Sequence, residues 1–260
     1  MATKVKIMEL ELDLMSEETF QSGMSEYLSN DFLNVVHLIS LDYIELYDKN
    51  ETVREALEDA DLILPGEKAI LSAYHVDVLE TGGMVVDYRS ASRVCDAGVL
   101  DGKKCYLILR NKKEAKIVYR YLASHYPETE IVGIYTSDSS VTEEALINEI
   151  NMQLPDLMVM SMGGTAGEEW ILRNRLKINA KLCVVLSSVM DMIIRENIHV
   201  PKILKKLHMG GIYTFLARIP YSGMWRRRIF QKKMDNYNNR KLMEIAEVEE
   251  LSDEDENQKQ

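Results

Sequence analysis

The sequence has little cysteine and no long apolar run, and each shortage narrows what the chain can be. Its three cysteines, Cys95, Cys105 and Cys183, are odd in number and widely spaced. They form no CxxC pair, and two lie inside apolar strand-like runs. We read them as buried free thiols of a reducing cytosol, not as a disulfide framework or a metal centre. No stretch approaches the roughly 20 apolar residues that span a bilayer. The charged start MATKVKIMELELD lacks the apolar core of a signal peptide. The five histidines (37, 75, 125, 199 and 208) show no ligand spacing, and no internal repeat is present. What remains is an ordinary globular composition, 46% hydrophobic and 28% charged over 260 residues. That is enough chain for one large α/β domain or two small ones.

The net charge of −11 is unevenly spread. Residues 202–241 hold eleven Lys/Arg and one acid, Asp235, whereas residues 244–260 hold eight acids and a single Lys259. A basic segment interleaved with aromatics, on an otherwise acidic chain, points to an anionic surface as its partner. We read 201–243 as a basic helical appendage broken at Gly210-Gly211 and Pro220. Residues 244–260 are too polar and acidic to pack and read as a disordered tail.

Up to residue 200, helix and strand patterns alternate. Apolar runs at 33–39, 61–64, 105–109, 130–135, 156–162 and 181–187 read as strands covered on both faces. Between them, Ala115, Val118, Tyr119, Leu122 and Tyr126 make one helical stripe. Ser140 and Glu143 are spaced as a capping box. The pattern predicts an α/β domain over 1–200, Rossmann-like, with a mainly parallel sheet and helices on both faces. Its binding crevice is expected at the carboxyl ends of the strands.

One turn stands out. In SMGGTAGEEW (161–170) an apolar run leads into Gly163-Gly164 and a helical pattern leads out. Strand, glycine turn and helix can hold a phosphate on backbone N–H groups. The turn is neither GxGxxG nor followed by GKS/T, so on local pattern it is equally a tight α/β corner.

The wider block decides more. Residues 150–191, INMQLPDLMVMSMGGTAGEEWILRNRLKINAKLCVVLSSVMD, resemble the WecG/TagA/CpsF family of bacterial glycosyltransferases. That family carries a pattern like PDLLLVGLG.PKQEKWI.RNR followed by GVGG.FD. Pro155, Asp156, Leu157, Gly163, Glu168, Trp170, Ile171, Arg173, Asn174, Arg175 and Asp191 match it. Upstream, EDADLILPGEKAIL is similar to the family's ADLVLPDGMGVV, and SHYPETEIVGIY to its RYPGL.IVG. Pro201 and MWRRRIF fit the basic C-terminal part, so the similarity runs over roughly 33–230.

The resemblance implies transfer of a sugar such as N-acetylmannosamine from a UDP-sugar to a lipid-linked saccharide. The place implied is the inner membrane face, in cell-surface polysaccharide or teichoic acid synthesis. It makes Gly163, Gly164, Glu168 and Asp191 the expected nucleotide-sugar site, to which the basic Arg110-Asn111-Lys112-Lys113 turn adds Arg110, because its charge suits a diphosphate. In the appendage, Arg218, Trp225, Arg226, Arg227 and Arg228 are expected to meet membrane or acceptor. The chain is then a cytoplasmic, peripheral enzyme needing no metal or other cofactor. Homo-oligomerisation is compatible with this, and nucleic acid is not the expected partner. Departures from the pattern matter too. The family's strand Thr is replaced by His37 and its Asp, often assigned as the base, by Gly66. The Gln is replaced by Gly167, the glycine turn after the third strand by Arg110-Asn111-Lys112-Lys113, and GVGG by Leu186-Ser187-Ser188. Glu67 or His37 is the expected base if one is present. A catalytically degenerate, non-enzymatic binding or regulatory subunit is the alternative.

Overall fold

A computed structural model describes residues 3–73, 102–186, 188–196 and 228–240. The chain opens with a hairpin, β1 (Thr3–Ile7) and β2 (Leu10–Leu14), paired antiparallel with Ile7 opposite Leu10. Its two-residue turn puts Met8 at φ 55°. Then follow α1 (Glu17–Ser29), β3 (Asn34–Ile39), α2 (Leu41–Lys49), α3 (Glu51–Glu58), β4 (Leu62–Pro65) and α4 (Lys68–Ala73). After the undescribed stretch come β5 (Lys104–Leu109), α5 (Lys112–His125), β6 (Glu130–Thr136), α6 (Glu143–Gln153), β7 (Leu157–Ser161), α7 (Ala166–Asn174), β8 (Leu182–Val185) and α8 (Val189–Glu196). A last helix, α9, covers 228–240.

Six strands form one parallel sheet in the order β4-β3-β8-β7-β5-β6. All six expected runs are strands, because β3, β4, β7 and β8 are buried at every position and only an apolar run tolerates that. On one face α1, α5 and α8 pack Phe20, Met24, Val118, Leu122, Val189 and Met190 onto Val36, Leu107, Val159 and Val184. On the other, α6 and α7 bring Leu146, Ile150, Trp170 and Ile171 against Val35, Ile108, Met160 and Val185. Each such side chain removed from water contributes about 1.5–3 kcal/mol.

The hairpin belongs to this second face, with Ile7, Leu10 and Leu12 in a cluster shared by α2, α3, α4 and Phe230 of α9. It also guards the sheet's β4 edge, where Asp13 Oδ2 accepts the Ile63 backbone N–H at 3.0 Å. At the opposite edge, Gly133 of β6 leaves room for the Tyr106 ring, which a Cβ would meet at 2.2 Å.

Local signals were partly misplaced. The cap of α6 is Thr142, whose Oγ1 accepts the Ala145 N–H at 3.3 Å, not Ser140. In the α5 stripe, Ala115, Val118 and Leu122 are buried but Tyr119 is exposed. Cys105 and Cys183 are buried free thiols, and burial pushes Cys183 up to about 12; Cys95 lies outside the described residues. Most of the expected appendage also lies outside them, as does the 244–260 tail. Its described part, α9, rests on the body. Phe230 is buried, Tyr237 donates to Glu9 at 2.6 Å, Arg240 pairs with Asp48 at 2.7 Å, and Lys233 pairs with Glu45. Among the described residues no helix is long and apolar enough to cross a membrane.

Candidate functional site

The chain leaves β5 outward to β6 but leaves β7 inward to β8, so the connections diverge between two neighbouring strands. In a parallel sheet that divergence opens a crevice at the carboxyl ends. Arg110 follows β5 directly, and Met162, Gly163 and Gly164 follow β7. Gly163 sits at φ 87° and Gly164 at φ 57°, conformations that favour glycine. A Cβ on Gly163 would come 2.8 Å from Arg110 Cδ, so the arginine crosses directly over the turn. The turn is pinned from α2, where Tyr43 OH donates to the Gly164 carbonyl at 2.8 Å.

The Arg110 guanidinium is held by two carboxylates. Its Nε lies 3.2 Å from Glu114 Oε2, and its Nη2 lies 2.5 Å from Asp191 Oδ1 in the first turn of α8. Glu114 is fixed because the Asn111 side chain caps α5, accepting the N–H groups of Lys113 and Glu114. Its carboxyl is held above the ordinary range by burial, although Arg110 and the Ser161 hydroxyl pull the other way. Arg110 is held further into the charged form, chiefly by Asp191. Lys112 and Lys113 of the expected basic turn are solvent-exposed first-turn residues of α5. Sequence reading missed Glu114 and Tyr43. An i+4 carboxylate after an arginine was the available signal for the first, and none existed for the second.

The other expected residues lie deeper. His37 is 1% exposed in the middle of β3, and Glu168 of α7 is 0% exposed with Oε1 4.0 Å from His37 Nδ1. Burial, with Arg175 adding, lowers His37 to about 3, so the imidazole is neutral at neutral pH and the contact is no ion pair. Glu67 is buried beyond the end of β4, with Oε1 accepting the Leu41 backbone N–H at 3.0 Å. Gly66 is crowded: a Cβ would meet Val189 Cγ2 at 2.5 Å and the Ile39 carbonyl at 2.8 Å. No side chain fits there without movement. Ser40 and Ser188, at the ends of β3 and β8, share a hydrogen bond between their hydroxyls. Of the five appendage residues, only Arg228 is described, and it is exposed at the start of α9; Arg218, Trp225, Arg226 and Arg227 lie outside the described residues.

The matched RNR segment works at the far end of the sheet. Arg175 donates to the Leu33 carbonyl at 3.2 Å, to Asp59 Oδ2 at 2.9 Å and to Asp61 Oδ2 at 2.5 Å. Buried Asn174 donates to the Trp170 carbonyl, and Arg173 pairs with Glu143.

Fold and site together define a Rossmann-like parallel α/β protein with an arginine poised over a glycine turn at its switch point. Residues 5–231 match the family model described as glycosyl transferase WecG/TagA/CpsF family, and the chain belongs to that family. Among curated proteins none matches it significantly.

Proposed function

We propose that the chain transfers a sugar, N-acetylmannosamine-like, from a UDP-sugar to a lipid-linked acceptor in cell-surface polysaccharide or teichoic acid synthesis. The observation that carries this reading is Arg110 over the Gly163-Gly164 turn, in a chain of this family. A diphosphate there meets a guanidinium on one side and the first N–H groups of α7 on the other. That pairing offsets charge developing on the leaving diphosphate without calling on a metal. Gly163 and Gly164 allow close approach, Tyr43 holds the turn, and Glu114 orients the arginine. An inverting displacement needs a group that deprotonates the acceptor hydroxyl. Glu67 at the end of β4 is the carboxylate that suits it, whereas His37 at 1% exposure is part of the core. The exposed Arg228 is the described residue that would meet the lipid acceptor and the anionic leaflet at the inner side of the membrane; the basic sequence before it lies outside the described residues.

Calorimetric titration with UDP, UDP-GlcNAc and UDP-ManNAc tests the donor. Binding of UDP and of at least one UDP-sugar is expected, and no heat from any at millimolar concentration would sink the reading. One observation favours a second reading, a non-enzymatic member that keeps the ligand site: no side chain fits at Gly66, where the resemblance places the family's Asp. Donor binding without turnover on a lipid-linked acceptor would decide for it.

A further inference from the structure

The carboxyl-edge cluster sets one cation against two carboxylates, and its geometry says more about the donor site, given the reading above on which this step rests. Arg110 spends Nε on Glu114 and Nη2 on Asp191. Those two nitrogens form the edge with which a guanidinium commonly grips a phosphate. The two acceptors are not equivalent. Glu114 is 2% exposed and capped into α5, and its Oε1 has no hydrogen-bond partner among the described residues. Asp191 reaches across from α8, 81 residues away in sequence, and is 33% exposed. The Arg110 side chain is itself 39% exposed, so this second pair is solvent-screened and weak.

We infer that Asp191 holds the place of a donor phosphate oxygen on Arg110 and is displaced when the diphosphate binds. Glu114 stays behind as the fixed support that keeps the guanidinium over the Gly163 turn. A phosphate oxygen at Nη2 occupies the direction Asp191 now takes, while neighbouring oxygens meet the start of α7. The carboxylate brings one charge and no further contacts, whereas a diphosphate brings at least two charges and several acceptor oxygens. Asp191 is thus a specificity-determining residue. An anion enters only if it outcompetes a tethered carboxylate, which admits a nucleoside diphosphate and rejects chloride or acetate. Displacement breaks no covalent bond, because the Asp191 side chain only swings into solvent.

The test is calorimetry on the full chain with UDP and with inorganic pyrophosphate, comparing wild type, Asp191→Asn, Asp191→Ser and Arg110→Gln. Removing a weak competing ion pair is expected to tighten both anions about fivefold in the two Asp191 variants. Arg110→Gln is expected to weaken both at least tenfold. The serine variant guards against poor folding of the amide, and thermal melting of all four chains confirms that they are folded. Equal or weaker binding by folded Asp191→Asn and Asp191→Ser overturns the inference, as does unchanged binding by Arg110→Gln. Tighter pyrophosphate binding by the variants with no UDP binding by any chain keeps the place-holding role and sinks only the donor reading. No binding of either anion by any chain overturns both.

Discussion

The two ends of the one parallel sheet follow different rules. At the amino end, several polar groups close onto fixed partners. Arg175 closes onto Asp59, Asp61 and the Leu33 carbonyl, and Asp61 Oδ2 also accepts the Val35 backbone N–H at 2.7 Å. Asn34 spends its amide on the Tyr27 and Lys181 carbonyls, and Asp156 accepts the Lys104 N–H. At the carboxyl end the arrangement is less closed. Arg110 is over-compensated by two carboxylates, Glu114 keeps one buried oxygen without a hydrogen bond, and two adjacent glycines hold positive φ. A buried polar atom left unmatched costs about 1–3 kcal/mol. The comparison also separates two kinds of motif match: RNR holds the fold together, whereas the glycine turn faces the crevice.

Gly66→Asp is expected to break the comparison hardest, by forcing a side chain into the carboxyl end where none fits. Its Cβ would meet Val189 and the Ile39 carbonyl, and the buried charge adds a desolvation cost. A loss of about 3 kcal/mol is expected in chemical denaturation, with no gain in transfer activity. A Gly66→Asp chain of wild-type stability would show that this end is loose enough to accept the carboxylate.

The sheet was legible in the sequence because its strands are continuous apolar runs, a pattern only double burial explains. The hairpin was not, although TKVKI and LELDL alternate. Its turn uses Met8 at φ 55° instead of the glycine or asparagine that signals such turns. The glycine turn and Arg110 were legible as site candidates one at a time, but their closeness was not. Asp191 meets Arg110 only because the order β8-β7-β5 brings the ends of distant segments together. The crowding at Gly66 was equally hidden, since Val189 supplies it from another element. The charge of α9 was legible, but not its commitment to Glu45 and Asp48.

Arg175→Met sharpens the contrast from the other side. It removes the anchoring contacts to the Leu33 and Asp59 carbonyls and leaves the Asp59 and Asp61 carboxylates without their cation, so a loss of about 2 kcal/mol is expected. Affinity for UDP is expected to stay within twofold of wild type, because the hydrogen bonds of this arginine all lie at the amino end. A tenfold loss of UDP affinity with unchanged stability would reverse the roles assigned to the two ends.

The smallest effect expected concerns His37, buried in β3 in the middle layer between the two ends. Its pKa is lowered in the folded state to about 3 from an ordinary 6.5. The unfolded chain therefore binds this proton first, and the stability is present above 6.5 and lost as pH falls toward 3. Between pH 6.5 and 5.5 the loss is about 1 kcal/mol. Glu114 has the opposite sign: with its pKa raised, its contribution is present below the ordinary carboxylate range and is lost as pH rises through the folded value. Denaturation of wild type and His37→Leu at both pH values isolates the histidine, because Glu114 is common to the two chains. The wild type is expected to lose about 1 kcal/mol more than the variant on acidification. Equal losses in both chains would mean that His37 takes up its proton without unfolding, and therefore that solvent reaches the layer beneath the crevice.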